Sequence, residues 1–205
     1  MIKTLLFDLS EVILTGLKGT EDVIAEYVHD DPGTVASHLM GPHLTRYLEG
    51  KTTEREYWRE FTRRSGYDVP VIFLEGAVRD NFRPIPGTLD IVDDLARQGY
   101  LLGLVSDHSA EWVDYLQQHF PESFTAFNTL HFSYSVGSTK KSKKIFRHAL
   151  AALRANPADT FFVDDDANNL RVAYDARIEH VYQFKDAKAL ELVLLGQGII
   201  IDGRP

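Results

Sequence analysis

Five short apolar-rich runs, separated by segments of helical periodicity, constrain this chain more than any other feature. They are Ile2 to Asp8, Tyr100 to Ser106, Thr125 to Phe132, Thr160 to Asp164 and Glu179 to Phe184. Their apolar residues are continuous rather than alternating, as in parallel strands covered on both faces. Leu89, Val92, Leu95 and Ala96 mark one intervening helix, Trp112, Val113 and Leu116 a second, and Ile145, Phe146, Ala149, Leu150 and Leu153 a third. Strand and helix in alternation predict an α/β fold built on a doubly wound parallel sheet.

One stretch breaks the alternation. Residues 16–83 carry helical stripes, Val23, Ile24, Tyr27 and Val28 in one and Tyr57, Trp58 and Phe61 in another, with no convincing strand. The expected organisation is a core of residues 1–15 and 84–205 with a small helical module, 16–83, inserted after the first strand. Pro84, Ile85, Pro86 and Gly87 punctuate the return. A chain of 205 residues suits one domain with such an insert.

Charge and composition narrow the function. A formal charge of −8 argues against nucleic acid or an anionic membrane as the main partner, since both require a positive field. The absence of cysteine excludes disulfides, thiolate metal sites and cysteine nucleophiles. The apolar run that ends at Asp8 is too short for a signal peptide or a membrane span, so a cytoplasmic location is the expectation. Oligomeric state is not legible.

In an open parallel sheet, ligands bind beyond the carboxyl ends of the strands. The polar residues there are Asp8, Ser106, Asp164 and Asp165, with Lys140 just ahead of the third core helix. Each has a bland alternative. Asp8 alone could cap a turn, Asp164 to Asp166 could decorate a helix N-terminus, and Lys141, Lys143 and Lys144 read as a solvated face. The remaining histidines show no metal-ligand spacing, and Tyr57, Trp58 and Phe61 read as the core of the insert.

Taken together, four segments resemble the haloacid dehalogenase-like (HAD) hydrolases. Leu5-Leu6-Phe7-Asp8-Leu9-Ser10 is similar to the first family motif, Gly103-Leu104-Val105-Ser106 to the second and Gly137-Ser138-Thr139-Lys140 to the third. Phe161-Phe162-Val163-Asp164-Asp165, followed by Asn169, resembles the acidic fourth. Pro84 to Gly87 and the stretch Gly50 to Trp58 resemble members with a helical cap at this position.

The resemblance implies Asp8 as nucleophile, a covalent aspartyl phosphate, and a small phosphorylated metabolite as substrate. Ser106 and Lys140 would hold the phosphoryl group, with Asp107, His108 and Asn169 as further substrate-binding positions. Mg²⁺ would be bound by Asp8, the Ser10 carbonyl, Asp164 and Asp165, in keeping with magnesium's preference for hard oxygen ligands. The cation is needed because a carboxylate nucleophile and a phosphate repel each other.

Ser10 departs from the family, whose phosphatases carry there a second Asp as general acid and base. Loss of such a group removes about 10² to 10⁴ in rate. The expected substrate therefore has a good leaving group, with Glu11 and His108 as candidate replacements for the acid. Glu11 is itself a departure, since the family usually has a small residue or an amide there. Two alternatives stay open: a metal-independent 2-haloacid dehalogenase, and a catalytically weak phospho-ligand binding protein.

Overall fold

Within each central strand, side chains alternate between two faces, and here both are apolar. Leu5, Phe7, Leu102, Leu104, Phe161 and Val163 enter one buried cluster, whereas Leu6, Val105 and Phe162 enter a second with Ile145, Phe146, Ala149 and Leu150. A sheet of this composition must be covered on both sides by helices. In the computed structural model, which describes residues 1–201, it is.

The strands are β1 (Thr4–Phe7), β2 (Leu101–Ser106), β3 (Thr129–Phe132), β4 (Thr160–Asp164) and β5 (His180–Gln183). They pair in parallel in the order β3-β2-β1-β4-β5. Each of the five expected strands forms. The third starts four residues late, because residues Glu122–Thr125 close a short helix that buries Phe124 instead. Helices Lys143–Leu153 and Ala167–Asp175 contribute to one apolar cluster, and Thr88–Arg97, Ala110–His119 and Ala187–Gly196 to the other. Gly103 in β2 is dictated by packing. A Cβ there would stand 2.7 Å from Leu6 and 2.9 Å from Leu153.

Between β1 and β2 the chain forms the helices Thr20–Val28, Pro32–Leu39, Pro42–Leu48, Glu54–Ser65 and Val71–Asn81 before it re-enters the core. Leu14 bridges to Pro84 at that crossing, and Thr15 N–H donates to the Arg83 carbonyl at 2.9 Å. Capping explains much of this punctuation. Asp31 accepts from Thr34 N–H ahead of Pro32, and Thr53 and Glu56 form a reciprocal capping box. Tyr57, Trp58 and Phe61 are buried, as their spacing predicts. The Val23 and Tyr27 stripe differs: both are nearly half exposed, and the buried side of that helix is Thr20, Ile24 and Ala25. Tyr27 lies on Phe73 at 4.2 Å between ring centroids rather than entering the core. Among the described residues, no helix is long and apolar enough to cross a membrane.

Candidate active site

The strand order places the site. The chain leaves β1 toward β2 and β3, then returns to the other side of β1 for β4 and β5, so a crevice opens at the carboxyl ends of the central three strands. Asp8 directly follows β1, Ser106 ends β2 and Asp164 ends β4. The bond from Asp8 N–H to the Val163 carbonyl, 2.9 Å, extends the ladder and sets the carboxyl groups of Asp8 and Asp164 beside each other.

Both Asp8 oxygens are held. Oδ1 accepts from Ser106 Oγ at 2.8 Å and from Leu9 N–H at 2.7 Å, while Oδ2 meets Lys140 Nζ at 2.5 Å. The same ammonium reaches Asp164 Oδ2 at 2.6 Å. Asp8, Ser106, Lys140 and Asp164 are all buried. Lys140 is brought there by the turn ahead of helix Lys143–Leu153, and Asp107 Oδ1 accepts its backbone N–H at 2.9 Å. Asn169, one turn into its helix, donates to both oxygens of Asp164 at 3.0 and 3.2 Å. Asp107 and Asn169 thus line the cavity and also hold Lys140 and Asp164 in place.

Charge in this pocket is unbalanced. One ammonium faces the carboxyls of Asp8, Asp107, Asp164 and Asp165. Burial pushes the Lys140 ammonium down, but Asp164, Asp8 and Asp107 outweigh it and its pKa is raised, so it stays charged. Burial raises the pKa of Asp8, against the pull of Lys140. It also raises Asp164 to about 6, with Lys140 again opposing. Burial and then the neighbouring Asp164 raise Asp165, whose carboxylate has no hydrogen-bond partner among the described residues. Asp8, Asp164 and Asp165 each offer an oxygen within 4.8 Å of the others. An oxygen-only donor set with surplus negative charge suits a hard divalent cation.

Of the two candidate replacements for the acid, His108 is the one that meets Ser10. Ser10 Oγ lies 2.8 Å from His108 Nε2. His108 is buried, its Nδ1 has no partner among the described residues, and burial, then Lys140, lowers its pKa to about 3. Glu11 adopts φ +58° and its Oε1 accepts Gly16 N–H at 2.8 Å, so this carboxylate braces the loop after β1. Asp166 caps helix Ala167–Asp175 through Asn168 N–H, the helix-end role its sequence context allowed. Lys141, Lys143 and Lys144 are exposed.

Sequence reasoning missed the outer wall. Leu44 and Leu48 from helix Pro42–Leu48, Leu17 and Met40 from the loops beside the inserted helices, and Trp112 from the core line a cavity of about 280 Å³ that includes Asp8. It also missed Glu54, a buried carboxylate that accepts from Arg79 Nη2 at 2.6 Å and Trp112 Nε1 at 3.0 Å. The Thr53–Glu56 capping box was the available signal for the start of that helix.

With this geometry in hand, the comparisons with known proteins agree. The model of the haloacid dehalogenase-like hydrolases matches residues 2–176, and the chain belongs to that family. Among solved structures, a HAD family enzyme of Bacteroides thetaiotaomicron in complex with magnesium and inorganic phosphate superposes with a TM-score of 0.74 at 21% identity, covering 91% of this chain and 96% of that one. A Porphyromonas gingivalis protein described as a predicted HAD-like family hydrolase gives 0.76 at 20% identity, over 96% and 98%. The L-2-haloacid dehalogenase of Xanthobacter autotrophicus, with chloropropionic acid covalently bound, gives 0.67 at 16% identity, over 94% and 83%. At these identities the likeness is one of fold.

Proposed function

We propose that this HAD-like hydrolase is a magnesium-dependent phosphohydrolase that acts on a small phosphorylated metabolite through a phosphorylated Asp8. The observation that carries the reading is the convergence of Asp8, Asp164 and Asp165 around one buried ammonium. Three carboxyls that each bring an oxygen within 4.8 Å of the others gain most from a bound cation, which a metal-free attack on a carbon–halogen bond does not use, and this favours the phosphatase over the dehalogenase reading.

Asp8, the Ser10 carbonyl, Asp164 and Asp165 would hold Mg²⁺. Bound there, it would neutralise the charge of nucleophile and phosphate and align them. Asp8, fixed at both oxygens, supplies the nucleophile, so no rotamer search precedes attack. An Asp8 oxygen bonds to phosphorus as the ester oxygen departs with its electron pair; water then attacks phosphorus, the bond to Asp8 breaks so that Asp8 leaves as a carboxylate, and the water's proton passes to solvent. Ser106 turns its hydroxyl from Asp8 to a non-bridging phosphoryl oxygen, and Lys140 offsets the charge that gathers on those oxygens. Neither the Ser10 hydroxyl nor neutral His108 is an effective proton donor at neutral pH, which favours substrates with stable leaving groups, such as aryl, acyl or anomeric phosphates. Residues 16–83 act as the cap over the site.

The test is phosphate release from an aryl phosphate by the purified protein. Activity should vanish in excess chelator, return with magnesium, and fall at least about a thousandfold in Asp8→Asn. Full activity in chelator would sink the reading.

A further inference from the structure

The cavity above Asp8 has two unlike ends. At the floor stand the carboxyls, Ser106 and Lys140. The opposite wall consists of Leu17, Met40, Leu44, Leu48 and Trp112, and the single polar side chain that residues 16–83 contribute is the exposed Lys18. Apart from Lys18, polar groups near this wall are already engaged. The Trp112 indole N–H donates to Glu54, so the ring offers carbon surface. Glu11 holds Gly16, and His108 Nε2 meets Ser10.

A sugar bound against such a wall would bury hydroxyls with Lys18 alone to pair with, each unpaired one at a cost of about 1–3 kcal/mol, whereas an apolar body would gain by leaving water. The volume, about 280 Å³, sits at the small end of ligand sites, which run roughly 300–1,000 Å³. We infer that the preferred substrate is the phosphate of a compact, mainly apolar alcohol, phenol or acid, read by the wall of Leu17, Met40, Leu44, Leu48 and Trp112, and not a sugar phosphate. This inference rests on the phosphohydrolase reading.

Benzyl phosphate and glucose 6-phosphate both release a primary alkoxide, so their comparison tests the wall rather than the leaving group. With magnesium present, kcat/KM should favour benzyl phosphate at least about tenfold. Leu44→Gln should shrink that ratio at least about threefold. Met40→Gln, at a half-exposed position that tolerates a polar side chain, should do so to a smaller extent and serves if the first variant folds poorly. Equal or better turnover of glucose 6-phosphate would overturn the inference, as would a ratio unmoved by both substitutions. Calorimetric binding of benzylphosphonate separates the two readings. Binding without phosphate release from any ester would support the apolar wall and remove the phosphohydrolase, whereas release with a hexose preference would do the reverse.

Discussion

Ser10 concentrates the chemical question in one hydroxyl. Its Cβ and Oγ lie 2.9 Å from where a Cβ on Gly16 would stand, and its Oγ faces His108 Nε2, so the position is enclosed with a ring nitrogen within reach of a carboxylate. Ser10→Asp should raise kcat on an alkyl phosphate more than on an aryl one, by up to about 10². An unchanged alkyl-to-aryl ratio with magnesium affinity intact would show that Ser10 does not limit the reaction. The surplus of carboxylates has its own consequence. Asp165→Asn should raise the thermal midpoint of the metal-free protein and abolish its rise on adding magnesium; a midpoint that falls would mean that Asp165 stabilises the pocket. Asp164 sets the pH dependence. Its folded pKa, about 6, lies above the unfolded 3.8, so in metal-free protein its stabilising contribution is complete below pH 3.8 and is lost as pH rises through 6. Magnesium requires the ionised form and acts in the opposite sense. Its stabilising effect in a melting experiment should therefore shrink between pH 7.5 and 5. Asp8, Ser106, Asp164 and Asp165 were legible as candidates, because each stands at or just past the carboxyl end of a strand. The Ser10–His108 pair lies across two loops, and linear spacing gave only the candidacy, not the contact.

Among the elements, helix Glu54–Ser65 is the junction between insert and core. Its first residue binds Arg79 of helix Val71–Asn81 and Trp112 of the core, while Glu111 of the core accepts Glu54 N–H at 3.0 Å. Tyr47 and Ser109 add a second hydroxyl contact across the same seam, at 2.7 Å. Glu54→Ala leaves the Trp112 N–H and a largely covered Arg79 without their acceptor, and should cost about 2–3 kcal/mol in denaturant unfolding. A loss under about 0.5 kcal/mol would show that water replaces it. Reading elements from sequence succeeded where apolar periodicity was strong, as for all five strands and for Lys143–Leu153. It was weaker in residues 16–83. Helices Pro32–Leu39 and Pro42–Leu48 are only two turns long, so their caps at Asp31 and Gly41 say more than their apolar spacing. Val23 and Tyr27 show the converse failure: an apolar stripe can be satisfied by a surface contact such as Tyr27 on Phe73.

At the scale of the molecule, β1 pairs on both sides with segments far along the chain. Thr4 lies opposite Leu101 in β2 and Thr160 in β4. Such non-local pairing folds slowly, since loops must close before any contact rewards them. A chain truncated after residue 155 lacks β4, Asp164 and Asp165, and should show no cooperative unfolding and no magnesium-dependent stabilisation; a two-state melt would contradict this. The same arrangement bears on how a ribosome must deliver the protein. Asp8 is made well before its neighbour Asp164, which follows only after β2, β3 and the helices between them. Until β2 is made the apolar first strand lacks a partner on either edge, and until β4 is made one of its edges stays open, while the helices between β1 and β2 are finished before the sheet is complete. The nascent chain therefore completes its reactive centre only after β4 has emerged, and until then the open edge of β1 is exposed to pairing with other chains.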